Sequence, residues 1–190
     1  MRNRHSVRSY TNKPIEGEVK EKLSALIAQC NGESGLHIQL VLDEPNAFDS
    51  MMAHYGKFSG VRNYIVMAGK KTAELEETCG YYGEKIVLYA QTLGLNTCWV
   101  AMTYSKGKAV FQLDQDEKVC LVIAVGYGET EGTAHNVKSR ERVMKIQGTP
   151  PEWFIRGIDA ALLAPTAMNQ QKFVFSLDGN TVSAKAGMGF

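Results

Sequence analysis

Apolar residues recur along the first half of the chain with two periods. Val19, Leu23, Leu26 and Ile27 fall at helical spacing, which predicts a helix over residues 16–29. Residues 37–42 alternate, with Ile38, Leu40 and Leu42 on one side, and predict a strand; residues 61–68 predict a second, ending at Gly69. The longest periodic signal follows. Leu75, Cys79, Tyr82, Ile86, Tyr89 and Leu93 are spaced 4, 3, 4, 3 and 4, which draws one apolar stripe along a helix, widened by Val87, Leu88 and Ala90. Gly80 and Gly83 inside it cost about 1 kcal/mol each. The expectation is that both admit a closely packed neighbour. Gly94 is placed to stop the helix.

The second half continues the pattern. Residues 98–102 form a short apolar run. The near-continuous run over residues 118–125 predicts a central strand buried on both faces, ended by Gly126 and Gly128. Residues 128–148 are polar and irregular. Pro150 and Pro151 introduce a helix over residues 152–164, with Trp153, Ile158, Ala161 and Leu162 toward the core, and Pro165 breaks it. Residues 172–177 alternate again before the turn Asp178-Gly179-Asn180. A shift of 135 residues overlays the first helix and strand on the last ones, so that Ile38, Leu40, Leu42 and Asp43 fall on Phe173, Phe175, Leu177 and Asp178. The two segments, 16–43 and 151–178, are candidate copies of one helix–loop–strand unit.

A chain of 190 residues with 44% hydrophobic content can bury a core without disulfides or metals, and one domain over residues 1–190 is the expectation. The formal charge of +1 gives no global field for nucleic acid. No apolar run approaches the roughly 20 residues of a membrane span. The polar N-terminus does not read as a signal peptide, so a cytoplasmic protein is expected. Cys30, Cys79, Cys98 and Cys120 form no CxxC pair and read as reduced thiols. His5, His37, His54 and His135 have no zinc-ligand spacing, and no metal is expected.

Four groups of residues carry candidate chemistry. Arg4-His5-Ser6-Val7-Arg8 sets two guanidinium groups on either side of a hydroxyl, which suits a phosphate monoester; the same residues also suit an idle basic terminus. Lys138-Ser139-Arg140 offers the same donors, or a solvated charge run. The run from Ala164 and Pro165 to Gln171 holds small and amide side chains that can face a flat heteroaromatic ring, or simply connect two elements. Residues 93–102 (LGLNTCWVAM) lead out of the long helix, or belong to the core. There is no GxGxxG, no GxxxxGK[ST] and no GxSxG. No Ser/His/Asp set stands out.

Together these four groups resemble the FMN-dependent nitroreductase family, over most of the chain. The resemblance implies an α+β fold with a central mixed, mostly antiparallel sheet flanked by helices. It places Arg4, His5, Ser6, Arg8, Lys138 and Arg140 on the FMN phosphate and ribityl chain. It places Pro165, Thr166, Ala167 and Asn169 against the ring, with Val100, Ala101 and Met102 near its reactive edge and Lys57 near the pyrimidine. The family's Pro-Ser-Ser-x-Asn loop normally follows the first helix, where this chain has Cys30-Asn31-Gly32-Glu33-Ser34-Gly35. Here its counterpart lies in the C-terminal part, as in a smaller group of nitroreductases. The implied arrangement is an internal pseudo-dimer, a monomer rather than a homodimer, holding one non-covalent FMN. Lys172-Phe173 replaces a frequent Pro-Trp and alters the expected pocket wall. The implied activity is ping-pong hydride transfer from NAD(P)H through flavin N5 to a nitroaromatic, quinone or similar small electron-poor acceptor, with no catalytic side chain required. A non-enzymatic or degenerate flavin- or nucleotide-binding protein is the alternative. Dehalogenation or flavin destruction on the same fold also stays open.

Overall fold

The computed structural model describes residues 1–187. They form two compact units, Arg4–Thr133 and the combination of Met1–Asn3 with Ala134–Phe190, of which residues 134–187 are described. No helix among the described residues is long and apolar enough to cross a membrane.

The larger unit is built on a four-stranded antiparallel sheet in the order β1-β2-β4-β3. Its strands are β1 (Gln39–Val41), β2 (Tyr64–Lys70), β3 (Asn96–Val100) and β4 (Glu117–Gly126). β4 has a neighbour on each side, as its unbroken apolar run predicts. One face is covered by α1 (Gly17–Ser34) and α3 (Leu75–Thr92), which bury Leu23, Ile27, Ile86 and Val87 against Ile65, Met67 and Ile123. The other face carries a second core of Phe48, Phe58, Tyr64, Tyr104 and Val122, beside the short helix α2 (Met51–Tyr55). Of the expected α3 stripe, Leu75, Cys79, Tyr82, Ile86 and Leu93 pack in the helix-side core with Val87 and Ala90, while Leu88 and Tyr89 are half-buried outside it. Gly94 follows with φ +77°, a left-handed turn that ends the helix without steric cost.

Gly83 and Gly80 differ. A Cβ on Gly83 would lie 2.4 Å from Trp99 Cη2 of β3, whereas one on Gly80 would meet nothing within 4 Å. The expected close neighbour exists at Gly83 alone.

The smaller unit holds a three-stranded sheet in the order β5-β6-β7, with β5 (Met144–Lys145), β6 (Phe173–Asp178) and β7 (Thr181–Ala186). The β5–β6 pair is parallel and the β6–β7 pair is an antiparallel hairpin turning at Gly179. Two helices, α4 (Arg140–Val143) and α5 (Glu152–Leu162), complete it. α5 buries Phe154, Ile158 and Leu162 at a spacing of four, with Val143, Phe173 and Phe175 around them. Trp153, expected in the core, is 48% exposed. With Phe154 at the centre of the stripe, its neighbour 100° away points outward. β7 has no apolar pattern because every one of its residues is exposed. The candidate repeat corresponds to α1–β1 in the larger unit and α5–β6 in the smaller one.

Candidate flavin phosphate site

Residues 6–10 run as an extended segment stitched to three parts of the larger unit. Val7 N donates to Thr97 O of β3 at 3.0 Å, Tyr10 N to Ser59 O at 3.0 Å, and Thr11 N to Tyr127 O at 2.8 Å. Val7 and Tyr10 are buried and anchor the segment, and the Tyr10 hydroxyl donates to Val7 O at 2.7 Å. Gly60 makes the approach feasible: it has φ +67°, and a Cβ there would sit 2.1 Å from Tyr10 O. Neither Ser59 nor Gly60 stands out in the sequence, since both contribute backbone rather than chemistry.

Alternation along an extended chain sends residues i, i+2 and i+4 to one side. Burial pushes the pKa of the Cys98 thiol of β3 up, while Arg8, a Ser6 hydrogen bond and Arg4 all pull it down. All three donors of the Arg-x-Ser-x-Arg motif act on this one thiol. Burial prevails, so Cys98 stays a thiol.

The three side chains are held differently. Arg4 is buried, with Nε 3.9 Å from Glu84 Oε1 on α3, and its Nη1 is sealed from solvent without a hydrogen-bond partner. Desolvation raises the Glu84 pKa, opposed by the Arg4 charge. Ser6 is half-buried. Arg8 is exposed, its guanidinium 5.9 Å from the centre of the Phe58 ring. A buried guanidinium with an unmatched N–H, a hydroxyl and an exposed guanidinium suit a phosphate dianion. His5 is half-buried beside Gly132, whose Cβ would fall 2.9 Å from His5 Cβ.

Lys57 is exposed in a left-handed conformation (φ +60°) and precedes Phe58, whose ring faces Arg8. Val100 is buried in the core, while Ala101 and Met102 are exposed beyond the end of β3. Thr103 lies against Gly56, which brings residues 101–103 beside residues 56–57.

In the smaller unit Lys138, Thr166 and Asn169 are tied into one loop through residues 136, 170 and 171, while Arg140 pairs separately. Lys138 Nζ donates to Gln170 O at 2.6 Å and Gln171 O at 3.0 Å, so two of its three N–H bonds hold the loop. Arg140 donates through Nε and Nη2 to the two Asp159 carboxylate oxygens, both at 2.7 Å. The bonds raise the Arg140 pKa and lower that of Asp159. Thr166 Oγ1 accepts from Gln171 N at 3.0 Å, and Asn169 Nδ2 donates to Asn136 O at 2.8 Å. Pro165 is half-buried and Ala167 exposed. Gln171, which the motif reading treated as one amide among several, is 2% exposed and ties the loop together.

A family model described as "Putative TM nitroreductase" matches residues 1–189. The chain belongs to this nitroreductase family. Among solved structures, a "putative nitroreductase" of Thermotoga maritima is 21% identical, with a TM-score of 0.66 over 97% of this chain and 72% of that one. A "Putative NADH Oxidase" of Clostridium acetobutylicum is 25% identical, with a TM-score of 0.58 over 75% and 95% of the two chains. A "putative nitroreductase in complex with fmn" from Desulfovibrio desulfuricans is 16% identical, with a TM-score of 0.58 over 78% and 95%. No curated protein sequence matches. These likenesses agree with the α+β nitroreductase-like fold expected from the sequence.

Proposed function

We propose that this nitroreductase binds one FMN and works as an NAD(P)H oxidoreductase on small electron-poor acceptors such as nitroaromatics and quinones. The observation that carries the reading is the buried Arg4 guanidinium with an unmatched N–H, on the same segment as the Ser6 hydroxyl and the exposed Arg8 guanidinium. Their donors suit a phosphate, and Arg4 Nη1 has no other acceptor. FMN in complex with a protein of like fold supports the same cofactor.

In this reading Arg4, Ser6 and Arg8 hold the phosphate, and His5 lines the same segment. Bound FMN supplies the redox chemistry, taking hydride from a reduced nicotinamide and giving electrons to the acceptor. The chain's own residues bind and orient. Lys57, Val100, Ala101 and Met102 are proposed toward the ring. By the family resemblance, Lys138, Arg140, Pro165, Thr166, Ala167 and Asn169 are proposed to contact the flavin as well. Since the chain carries both flavin-contact motifs, the proposed working unit is the monomer.

The test is the absorption spectrum of the purified protein, followed by titration with FMN and riboflavin. The reading expects flavin bands, and FMN bound more tightly than riboflavin by a margin that Arg8→Ala narrows. Equal affinity for the two flavins would refute the phosphate site. Flavin bands without NAD(P)H oxidation in the presence of menadione or nitrofurazone would favour a binding protein over an enzyme. Sedimentation showing an obligate dimer would overturn the monomer.

A further inference from the structure

The pairing of β2 with β4 contains one extra residue, Cys120. Met67 faces Leu121 and Ala68 faces Val119, which leaves Cys120 without a partner on β2. Such a bulge turns two successive side chains to the same face. Cys120 and Leu121 both pack with the helix-side core, while Val119 and Val122 pack on the opposite one. The helix-side core also contains Cys79 of α3. An ion pair marks the same crossing of helix over strand, with Lys118 Nζ 3.2 Å from Glu76 Oε1. Cys79 follows Glu76 by one helical turn, and Cys120 follows Lys118 by one strand repeat, so each thiol shares a face with one member of the pair. Cys79 is sealed, Cys120 is half-buried, and both are free thiols.

We propose that Cys79 and Cys120 are a redox-active dithiol that closes to a disulfide when the protein meets a peroxide, stapling the start of α3 to β4. Cys120 is the more accessible and reacts first. Its sulfur takes one peroxide oxygen as a sulfenic acid, the O–O bond breaks, and one water leaves. The Cys79 sulfur then attacks the Cys120 sulfur, the S–O bond breaks, and the hydroxide departs with the Cys79 proton as a second water. Two thiols and one peroxide become one disulfide and two waters. Burial, with the Cys120 thiol as the next cause, pushes Cys79 up to about 12. Its thiolate is therefore scarce, and the closing step is slow and gated by transfer of the Cys79 proton to the departing hydroxide.

The experiment treats the reduced full-length protein with hydrogen peroxide, removes the peroxide, unfolds the protein in urea, blocks free thiols with N-ethylmaleimide, and maps peptides by mass spectrometry. The expected result is a fall from four alkylatable cysteines to two, a peptide joining Cys79 to Cys120, and full recovery with dithiothreitol. The oxidised form should also melt at a higher temperature than the reduced one. In Cys79→Ser, Cys120 should proceed to sulfinic acid; in Cys120→Ser, Cys79 should stay alkylatable. Four alkylatable cysteines after oxidation, a disulfide on any other pair, or wild-type Cys120 carrying extra oxygens beside a free Cys79 would overturn the proposal. The wild-type readout does not depend on the variants folding.

Discussion

Gly83 of α3 and Trp99 of β3 pack so closely that no side chain fits between them, since a Cβ on Gly83 would lie 2.4 Å from the indole ring. Trp99 is only half-buried, but its ring is rigid and fills that space. Gly83→Ala should therefore destabilise the protein. Overpacking costs about 1–3 kcal/mol, against a helix-propensity gain of about 1 kcal/mol. Gly80→Ala, with nothing within 4 Å, should show the gain alone. Urea denaturation of both variants checks this; two shifts of the same sign and size would refute the close-packing account.

The same pair of glycines shows how far the sequence could be read. The stripe of α3, the buried run of β4 and the end of the helix at Gly94 are periodicity and backbone freedom, which are local properties. Which glycine meets a neighbour depends on where β3 crosses the helix, and periodicity does not contain that. Trp153 and Phe154 make the same point: both are aromatic, and only the direction of the α5 stripe decides which is buried. The Arg4–Arg8 segment was legible as a donor pattern. The Ser59 and Thr97 backbone groups that hold it extended were not, because any residue supplies them. Nor was Glu84 legible as the carboxylate near Arg4, since the two are eighty positions apart.

Arg8→Ala tests the phosphate assignment at the most accessible of the three donors. Arg8 is exposed, so the substitution should change stability by no more than about 0.5 kcal/mol. Loss of a hydrogen bond to a charged group should weaken FMN binding by about 1.5–3 kcal/mol. Riboflavin, which lacks the phosphate, should bind as before. Fluorescence titration of both flavins gives the answer, and unchanged FMN affinity would remove Arg8 from the site.

Glu117 predicts part of the response to acid. Its Oε2 takes the His37 Nδ1 hydrogen bond at 2.7 Å and the Asp114 N hydrogen bond at 2.9 Å. The His37 bond first, and the Asp114 backbone bond next, hold its pKa below the ordinary 4.5. The unfolded chain therefore binds this proton at higher pH than the folded one. The resulting stability is complete above the unfolded value and is lost as pH falls through the folded value. Between about pH 5 and about pH 3, wild type should lose stability faster than Glu117→Gln. Denaturation midpoints across that window measure the difference, and parallel curves would show that Glu117 contributes nothing.

Gln171 fixes the shape of the loop in the smaller unit. Its Oε1 accepts from Lys138 N at 2.8 Å, and its Nε2 donates to Asn136 O at 2.8 Å and Asn169 Oδ1 at 2.7 Å. These bonds hold a loop in which Met168, Asn169 and Gln171 all have positive φ, at 50°, 54° and 46°. Such conformations cost about 1–3 kcal/mol each and persist only where the surroundings enforce them. Gln171→Leu keeps the bulk and removes every one of those hydrogen bonds, at a cost of about 0.5–1.5 kcal/mol each because the partners are half-buried or exposed and can turn to water. The thermal midpoint should fall accordingly. If Pro165, Thr166, Ala167 and Asn169 contact the flavin, FMN and riboflavin affinities should fall together, because the contact is to the ring and not to the phosphate. That is the opposite of the pattern expected for Arg8→Ala. A lowered midpoint with both flavin affinities intact would confine the loop to a structural role and remove its four residues from the proposed site.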